Sequence, residues 1–314
     1  MRSRFTALES FGEEELERLK SSTAAVIGLG ATGSVIAEHL ARHGVNLVLV
    51  DRDYLEKSDL YSSSLYTREQ VEQGLPKAEA ARRRLEGFSD ADIEAHVDSL
   101  SGDKTALLGP ADIVMDGTDN LETRFLVDEY SHRESVPWVY TAAIVEKGYS
   151  MLFDQRCFSC VFEDVEAGSL GTCETEGVMR EVSTIAASRS ALKAVRYLAG
   201  KDVEEKLDVV PSGESLKVRS EGCEVCGEGE YRRLDETDDT VSVCGENKYE
   251  LEREVGEEAF QRLRQQGKVV ADNDYLTRVE IDGRGFALFR SGRAIVEARD
   301  RGHAEAVFDE LVGR

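Results

Sequence analysis

Basic residues are scarce in this chain: 39 Lys and Arg stand against 62 Asp and Glu in 314 residues, a net charge of -23. That shortage argues against direct binding to nucleic acid or to an anionic membrane surface, both of which call for a positive face. The acids are spread along the whole chain, as on a solvated surface. Such a surface suits an ordinary acidic protein or one adapted to high salt, and the 4 prolines and 7% aromatics do not choose between them. Long apolar runs are also missing. The longest are strand-sized, so no membrane span is expected. The opening MRSRFTALESFG lacks the apolar core and small-residue cleavage site of a signal peptide, so a cytoplasmic protein is expected. Internal repeats and low-complexity tracts are absent, which excludes a repeat array. The 41% hydrophobic content is ample for a packed core.

Strand-like and helix-like segments alternate over the first two thirds. Ala24 to Ile27 reads as a strand, followed by a glycine turn and a helix from Ser34 to His43. NLVLVD is a short continuous apolar run, the mark of a strand buried on both faces. Residues 77 to 87 read as a helix, DIEAHVDSL and DIVMDGTDN as strands, ETRFLVDEYSHR as a helix, and WVYTAAI and YSMLF as strands. This alternation predicts an α/β fold, a Rossmann-like doubly wound parallel sheet. STIAASRSALKAVRYLAG reads as a helix, and strands lead on to GCEVCG. The charged stretch from Gly227 to Asp239 reads as a linker. Two domains are expected, 1–235 and 236–314. The second is a small α+β unit with a helix ending on Gly267, strands broken at DG and SG, and a closing helix.

Gly28-Leu29-Gly30-Ala31-Thr32-Gly33 lies between strand and helix, the context of a phosphate loop. Asp51, at the end of the next strand, suits ribose hydroxyls. Alone, these features describe a dinucleotide dehydrogenase as well as an ATP site. Hydride chemistry needs a proton relay, and none of the 5 histidines sits in a suggestive motif. Three later features favour ATP. Asp116, Asp119 and Asn120 end a strand, where a carboxylate can hold Mg²⁺ or simply cap the loop. Lys77 opens a helix after Gly74-Leu75-Pro76, where it can reach phosphates or remain a surface charge. Cys157/Cys160 and Cys223/Cys226 are two CxxC pairs that together suit a closed structural Zn²⁺ site, the alternative being two separate reduced hairpins.

Taken in order, GLGATG, LVDRD, LPK, MDGTDN, CFSC, GTCETEGVM and GCEVCG resemble the ThiF/MoeB/HesA group, relatives of the ubiquitin-activating enzymes, over roughly residues 4 to 227. The resemblance implies a homodimer that uses ATP and Mg²⁺ to adenylate the C-terminal carboxylate of a ubiquitin-like sulfur-carrier or modifier protein ending in Gly-Gly. It implies nucleotide contacts from Gly28, Gly30, Gly33, Asp51, Asp53, Asp59, Lys77, Asp119 and Asn120, with the ribose on Asp51, the phosphates on Lys77 and Mg²⁺ on Asp119. Arg4 would reach the partner protomer's ATP. Cys173 would be the mobile cysteine that in some relatives bonds the carrier, although its own polar, acidic surroundings fit a plain structural thiol equally well. Cys157, Cys160, Cys223 and Cys226 would hold the zinc. The chain lacks a rhodanese motif, so sulfur is expected from a separate sulfurtransferase. One segment departs from the group's pattern. In SDLYSSSLYT, Asp59 replaces an expected Asn and Ser62 an expected Arg. An acid gained and a cation lost beside the phosphates predict weakened adenylation or a non-catalytic scaffold, unless Arg52, Arg68 or Arg124 compensates.

Overall fold

The computed structural model describes residue 8 and residues 10–162, 176–218, 222–235 and 247–313. Two compact units emerge. One takes in the described residues of 1–53, 57–66 and 77–236; the other takes in those of 54–56, 67–76 and 237–314.

In the first unit α1 (Glu13–Ser21) precedes β1 (Thr23–Ile27), α2 (Gly33–Arg42), β2 (Asn46–Val50) and α3 (Asp59–Ser62). After α4 (Arg68–Glu72), which belongs to the second unit, come α5 (Lys77–Glu86), β3 (Ile93–His96), β4 (Ile113–Asp116), α6 (Leu121–Glu134), β5 (Trp138–Ile144) and β6 (Lys147–Phe153). Then follow α7 (Ser159–Phe162), α8 (Arg180–Leu198), β7 (Lys206–Val210), β8 (Glu214–Lys217) and α9 (Arg232–Asp235). The eight strands form one sheet in the order β3-β2-β1-β4-β5-β6-β7-β8. Alternate residues explain the continuous apolar runs. Ala25, Ile27, Val48, Val50 and Val114 share a core with Leu126, Val127 and Tyr130 of α6, while the intervening Ala24, Val26, Leu47 and Leu49 are equally buried. Both faces of these strands are therefore covered, as a parallel sheet requires.

The expected parallel sheet is present in part, and the remainder is a correction. β3, β2, β1, β4 and β5 pair in parallel, but β5/β6, β6/β7 and β7/β8 are antiparallel. The first reversal follows from chain length: only Val145 and Glu146 separate β5 from β6, whereas a parallel pair needs a crossover of about a dozen residues or more. The linker reading of Gly227 to Asp239 is corrected where it is described. Arg232–Asp235 is helical, and Leu234 is buried in the main core. The Glu129 carboxylate accepts the N–H groups of Arg233 (2.8 Å) and Leu234 (3.2 Å), so charge here serves a helix start.

The second unit holds β9 (Lys248–Glu252), α10 (Glu257–Gln266), β10 (Lys268–Asp272), β11 (Leu276–Ile281), β12 (Arg284–Phe289), β13 (Arg293–Glu297) and α11 (Arg301–Leu311). Its sheet runs β10-β11-β12-β13-β9, antiparallel throughout. The DG turn is formed by Asp282 (φ 49°) and Gly283 (φ 75°), two left-handed residues that suit a tight hairpin. Phe260 and Leu263 of α10 and Phe308 of α11 meet Phe286, Leu288 and Val296 of the sheet. Gly267 does end α10, but with extended backbone (φ -146°) rather than the left-handed cap expected. It is required for room: a Cβ there would lie 2.6 Å from Ile281 Cγ1. The unit includes earlier chain as well. Arg278 bonds Glu56 (3.0 Å) and stacks on Tyr54, and Asn273 Nδ2 donates to the Gln73 carbonyl (3.0 Å).

Candidate active site

β1 delivers the chain into the glycine turn, and Gly28 (φ 78°) donates its N–H to the Val50 carbonyl (2.8 Å). Three glycines lock this turn to the end of β4. A Cβ on Gly33 would overlap the Gly28 carbonyl oxygen, and one on Gly117 would lie 2.7 Å from Gly33 Cα. Gly30 is different. A Cβ there would meet nothing within 4 Å among the described residues, so its bareness leaves room on that side of the loop. The ten-residue α2 starts at Gly33, aiming the positive end of its dipole into the same region. The loop is braced from below by residues the sequence reading missed. Tyr66 Oη donates to the Leu29 carbonyl (2.6 Å), and Ser63 Oγ to Ser34 Oγ (2.9 Å), which in turn donates to the Gly30 carbonyl (2.6 Å). These are contacts across some 30 residues of chain, and polar residues in a serine-rich loop give no local sign of them.

Asp51 is buried. One carboxylate oxygen accepts the Leu29 N–H (2.6 Å) and the other the Asp53 N–H (2.7 Å). Burial pushes its carboxyl up to about 6, with Lys77 pulling the other way. Lys77 opens α5, its N–H bonded to the Asp53 carbonyl (2.8 Å). Its Nζ lies 3.5 Å from Asp59 Oδ1 and 3.7 Å from Asp53 Oδ2. Burial works against the charge, but Asp53, Asp51 and Asp59 outweigh it and hold the ammonium well above its usual range. Asp59 is thus brought onto the lysine rather than left facing the loop. Ser62, where a cation was missed, turns its hydroxyl to the Ser58 carbonyl (3.4 Å).

At the end of β4, Asp116 is buried and spent. It accepts from Thr118 N–H and Oγ1 (2.8 and 2.7 Å) and pairs with Arg124 Nε (2.9 Å). Arg124 also donates to the Thr118 and Thr141 carbonyls, so it fixes this loop and is not a loose cation replacing the one absent at Ser62. Arg68 is exposed on α4, in the second unit. Asp119 is exposed, and its charge acts on Arg124. Asn120 caps α6, its Oδ1 accepting the Thr123 N–H (2.8 Å). Arg4 and Cys173 lie outside the described residues. Tyr197 and Lys201 have the Tyr-x-x-x-Lys spacing of a hydride-transfer relay, which the histidines alone overlook. Their polar atoms bond Asp154 (3.5 Å) and Glu15 (2.6 Å), neither of them part of the glycine loop.

Cys157, Cys160, Cys223 and Cys226 come together, with Sγ atoms 3.6 Å (157–223), 3.5 Å (160–226) and 3.9 Å (223–226) apart. Four thiolates ~2.3 Å from one tetrahedral zinc stand about 3.8 Å from each other, so the donor set fits. Burial pushes the Cys157 thiol up, and Asp128 beside it adds to the shift. Asp128, fully buried on α6, was not foreseen. It accepts the N–H groups of Phe158 (3.0 Å) and Ser159 (2.9 Å), the Ser159 hydroxyl (2.8 Å) and the Cys157 thiol (3.2 Å), and so shapes the first CxxC turn. Its only sequence sign is an acid set among Leu126, Val127 and Tyr130.

The ThiF family's sequence profile matches residues 2–219. The chain belongs to the ThiF family. Across all of both chains it is 31% identical to the sulfur carrier protein ThiS adenylyltransferase of Bacillus subtilis, so the second unit is matched too. It is 30% identical to the SAMP-activating enzyme E1 of Haloferax volcanii, over 75% of this chain and 92% of that one. With the molybdopterin-synthase adenylyltransferase of Escherichia coli it shares 32% identity, over 70% of this chain and 93% of that one. Among solved structures, E. coli MccB has the same fold: TM-score 0.62 at 19% identity, over 72% of each chain. The ThiF relatives named here thus include two adenylyltransferases. No helix among the described residues is long and apolar enough to cross a membrane.

Proposed function

We propose that this ThiF-family chain adenylates the C-terminal carboxylate of a ubiquitin-like sulfur-carrier or modifier protein, consuming ATP and releasing pyrophosphate. The observation that carries this is the convergence of the glycine loop, open at Gly30, with Asp51, Lys77 and the exposed Asp119. The names of the full-length and partial relatives support the same chemistry.

The nucleophile is a carboxylate with an ordinary pKa of about 3.5, already ionised at neutral pH, so no general base is needed. The difficulty is one anion approaching another. The chain's contribution is therefore positioning and positive charge. The loop N–H groups and the α2 terminus cradle phosphates, Lys77 supplies a partly buried cation, and Asp51 orients the ribose. Asp119 would hold Mg²⁺, which when bound neutralises phosphate charge. Cys157, Cys160, Cys223 and Cys226 would hold Zn²⁺ as a structural clamp with no open position. A homodimer, a cytoplasmic location, a role for Arg4 and Cys173, and a separate sulfurtransferase belong to the same reading, with 236–314 as the part that receives or positions a partner.

ATP–pyrophosphate exchange with Mg²⁺ and each Gly-Gly-ended small protein of the source organism tests it. Exchange is expected with one such carrier and should fall at least about 100-fold in Asp119→Ala. Exchange with none of them, while ATP still binds, selects the second reading, a nucleotide-binding scaffold. That reading is favoured by one observation, Asp59 on Lys77.

Acidity gives a further test. Ribose hydroxyls donate to Asp51 as a carboxylate, so ATP affinity should be full well above pH 6 and decline as pH falls through about 6. Asp51→Asn should bind more weakly and lose that pH dependence. The effect on folding has the opposite sense. The folded carboxyl titrates at about 6 against 3.8 ordinarily, so the folded state takes up a proton first, and the stability this gives is lost as pH rises through that window. Equal pH profiles in both proteins would remove Asp51 from the ribose site.

A further inference from the structure

Lys77 is the cation that the proposed reading offers to the phosphates, and it already has partners. Asp59 Oδ1 stands 3.5 Å and Asp53 Oδ2 3.7 Å from its Nζ, with Asp51 also acting on it. Asp59 cannot simply swing into water. Its residue is 6% exposed, and its backbone carbonyl is fixed by the Ser63 N–H (3.0 Å). Ser63 is itself bonded through Ser34 to the Gly30 carbonyl of the loop. Asp59 is thus anchored to the same framework as the phosphate cradle. Ser62, where the resemblance leads one to expect a cation, is turned back to Ser58. Three carboxylates therefore face one ammonium before any phosphate arrives.

We propose that Asp59 is an internal competitor of the triphosphate for Lys77. In the free site it occupies the lysine, and ATP enters only by displacing or outbidding that carboxylate. This inference rests on the reading of the site as an ATP site. It gives the unexpected acid a defined role: ATP affinity is set low by a charge in the protein, and turnover becomes responsive to ATP concentration and to the Mg²⁺ that offsets phosphate charge. The acid acts through Lys77 and need not touch the reacting atoms, so it is a positioning residue.

The test is calorimetric titration of the full chain with ATP and Mg²⁺, comparing the unaltered protein with Asp59→Asn, Asp53→Asn and Lys77→Ala, alongside the ATP KM in pyrophosphate exchange. Removing a unit charge at this distance should tighten ATP binding at least about tenfold in Asp59→Asn. The gain should appear as tighter ATP binding together with a lower ATP KM, an effect that damage to packing would not produce. Lys77→Ala should bind more weakly than the unaltered protein. Should Asp59→Asn fail to fold, Asp53→Asn carries the test, with tightening in the same direction through the same lysine. Unchanged or weaker ATP binding in the folded variant would overturn the competition while leaving the adenylation reading intact. Absence of ATP binding in the unaltered protein and in every variant would overturn both.

Discussion

Gly33→Ala should destroy the nucleotide-binding loop, weakening ATP binding more than about 100-fold and destabilising the fold by about 3 kcal/mol or more. The reason is where the new methyl group would go. It would overlap the Gly28 carbonyl oxygen, a backbone atom that cannot turn aside as a side chain can. Gly28 cannot retreat freely, since its own N–H is tied to the Val50 carbonyl. Gly117→Ala, pressing on Gly28 and Gly33 from the other side, should behave alike. Gly30→Ala is the control. A Cβ there meets nothing within 4 Å among the described residues, so its melting temperature should stay close to that of the unaltered protein, while ATP affinity should drop if ATP occupies that space as proposed. Thermal melts and ATP titrations of the three variants are sufficient. A Gly33→Ala protein that melts and binds as before would mean that the loop is not built on this contact.

Stripping metal from the cysteine site should lower the melting temperature by about 10 °C or more, as several kcal/mol would in a protein of this size. The sulfurs already stand at distances suited to one tetrahedral ion, and they tie α7, which follows β6, to the turn after β8, 66 residues further on. Without the ion, the buried Cys157 thiol sits against a carboxylate, and the bond from each sulfur to a shared metal is lost. Cys226→Ser separates metal from packing, because Cys226 is exposed and its side chain fills no core space. It should destabilise the metal-loaded protein strongly and the chelated protein hardly at all. Elemental analysis should find one zinc per chain before chelation. Equal loss in both forms, or no zinc, would remove the metal from the account.

Local features of the site were legible in the sequence. A strand, a glycine turn and a helix lie consecutively, and Gly28, Gly33 and Asp51 follow from that order. Lys77 was marked by Pro76 before it, and each CxxC by its own spacing. Features that depend on distant chain were not legible. Neither Tyr66 nor Ser63 carries a local sign that it bonds the glycine loop, and Asp128 reads as one more acid on an acidic helix until Cys157–Ser159 are folded against it. Strand direction escaped for a related reason. YSMLF has the same apolar character whichever way it runs, and only the two-residue turn at Val145–Glu146 decides it. Asp59 was visible as an acid where none was expected, but its contact with Lys77 needed the crossover between β2 and α5 in three dimensions.

The second unit joins the C-terminal part of the chain to two short segments from its first quarter, and this bears on how the protein is made. Gln73 waits 200 residues for Asn273, and Glu56 waits 222 for Arg278. On a ribosome that releases the chain from its N-terminus, the stretch leading into Lys77 emerges early and finds its partners only when the final strands appear. Contacts this remote in sequence slow folding and keep early segments exposed while synthesis continues. Cutting the gene after residue 235 would therefore not release a finished nucleotide-binding half: it would leave 54–56 and 67–76 permanently without the sheet they were folded to join.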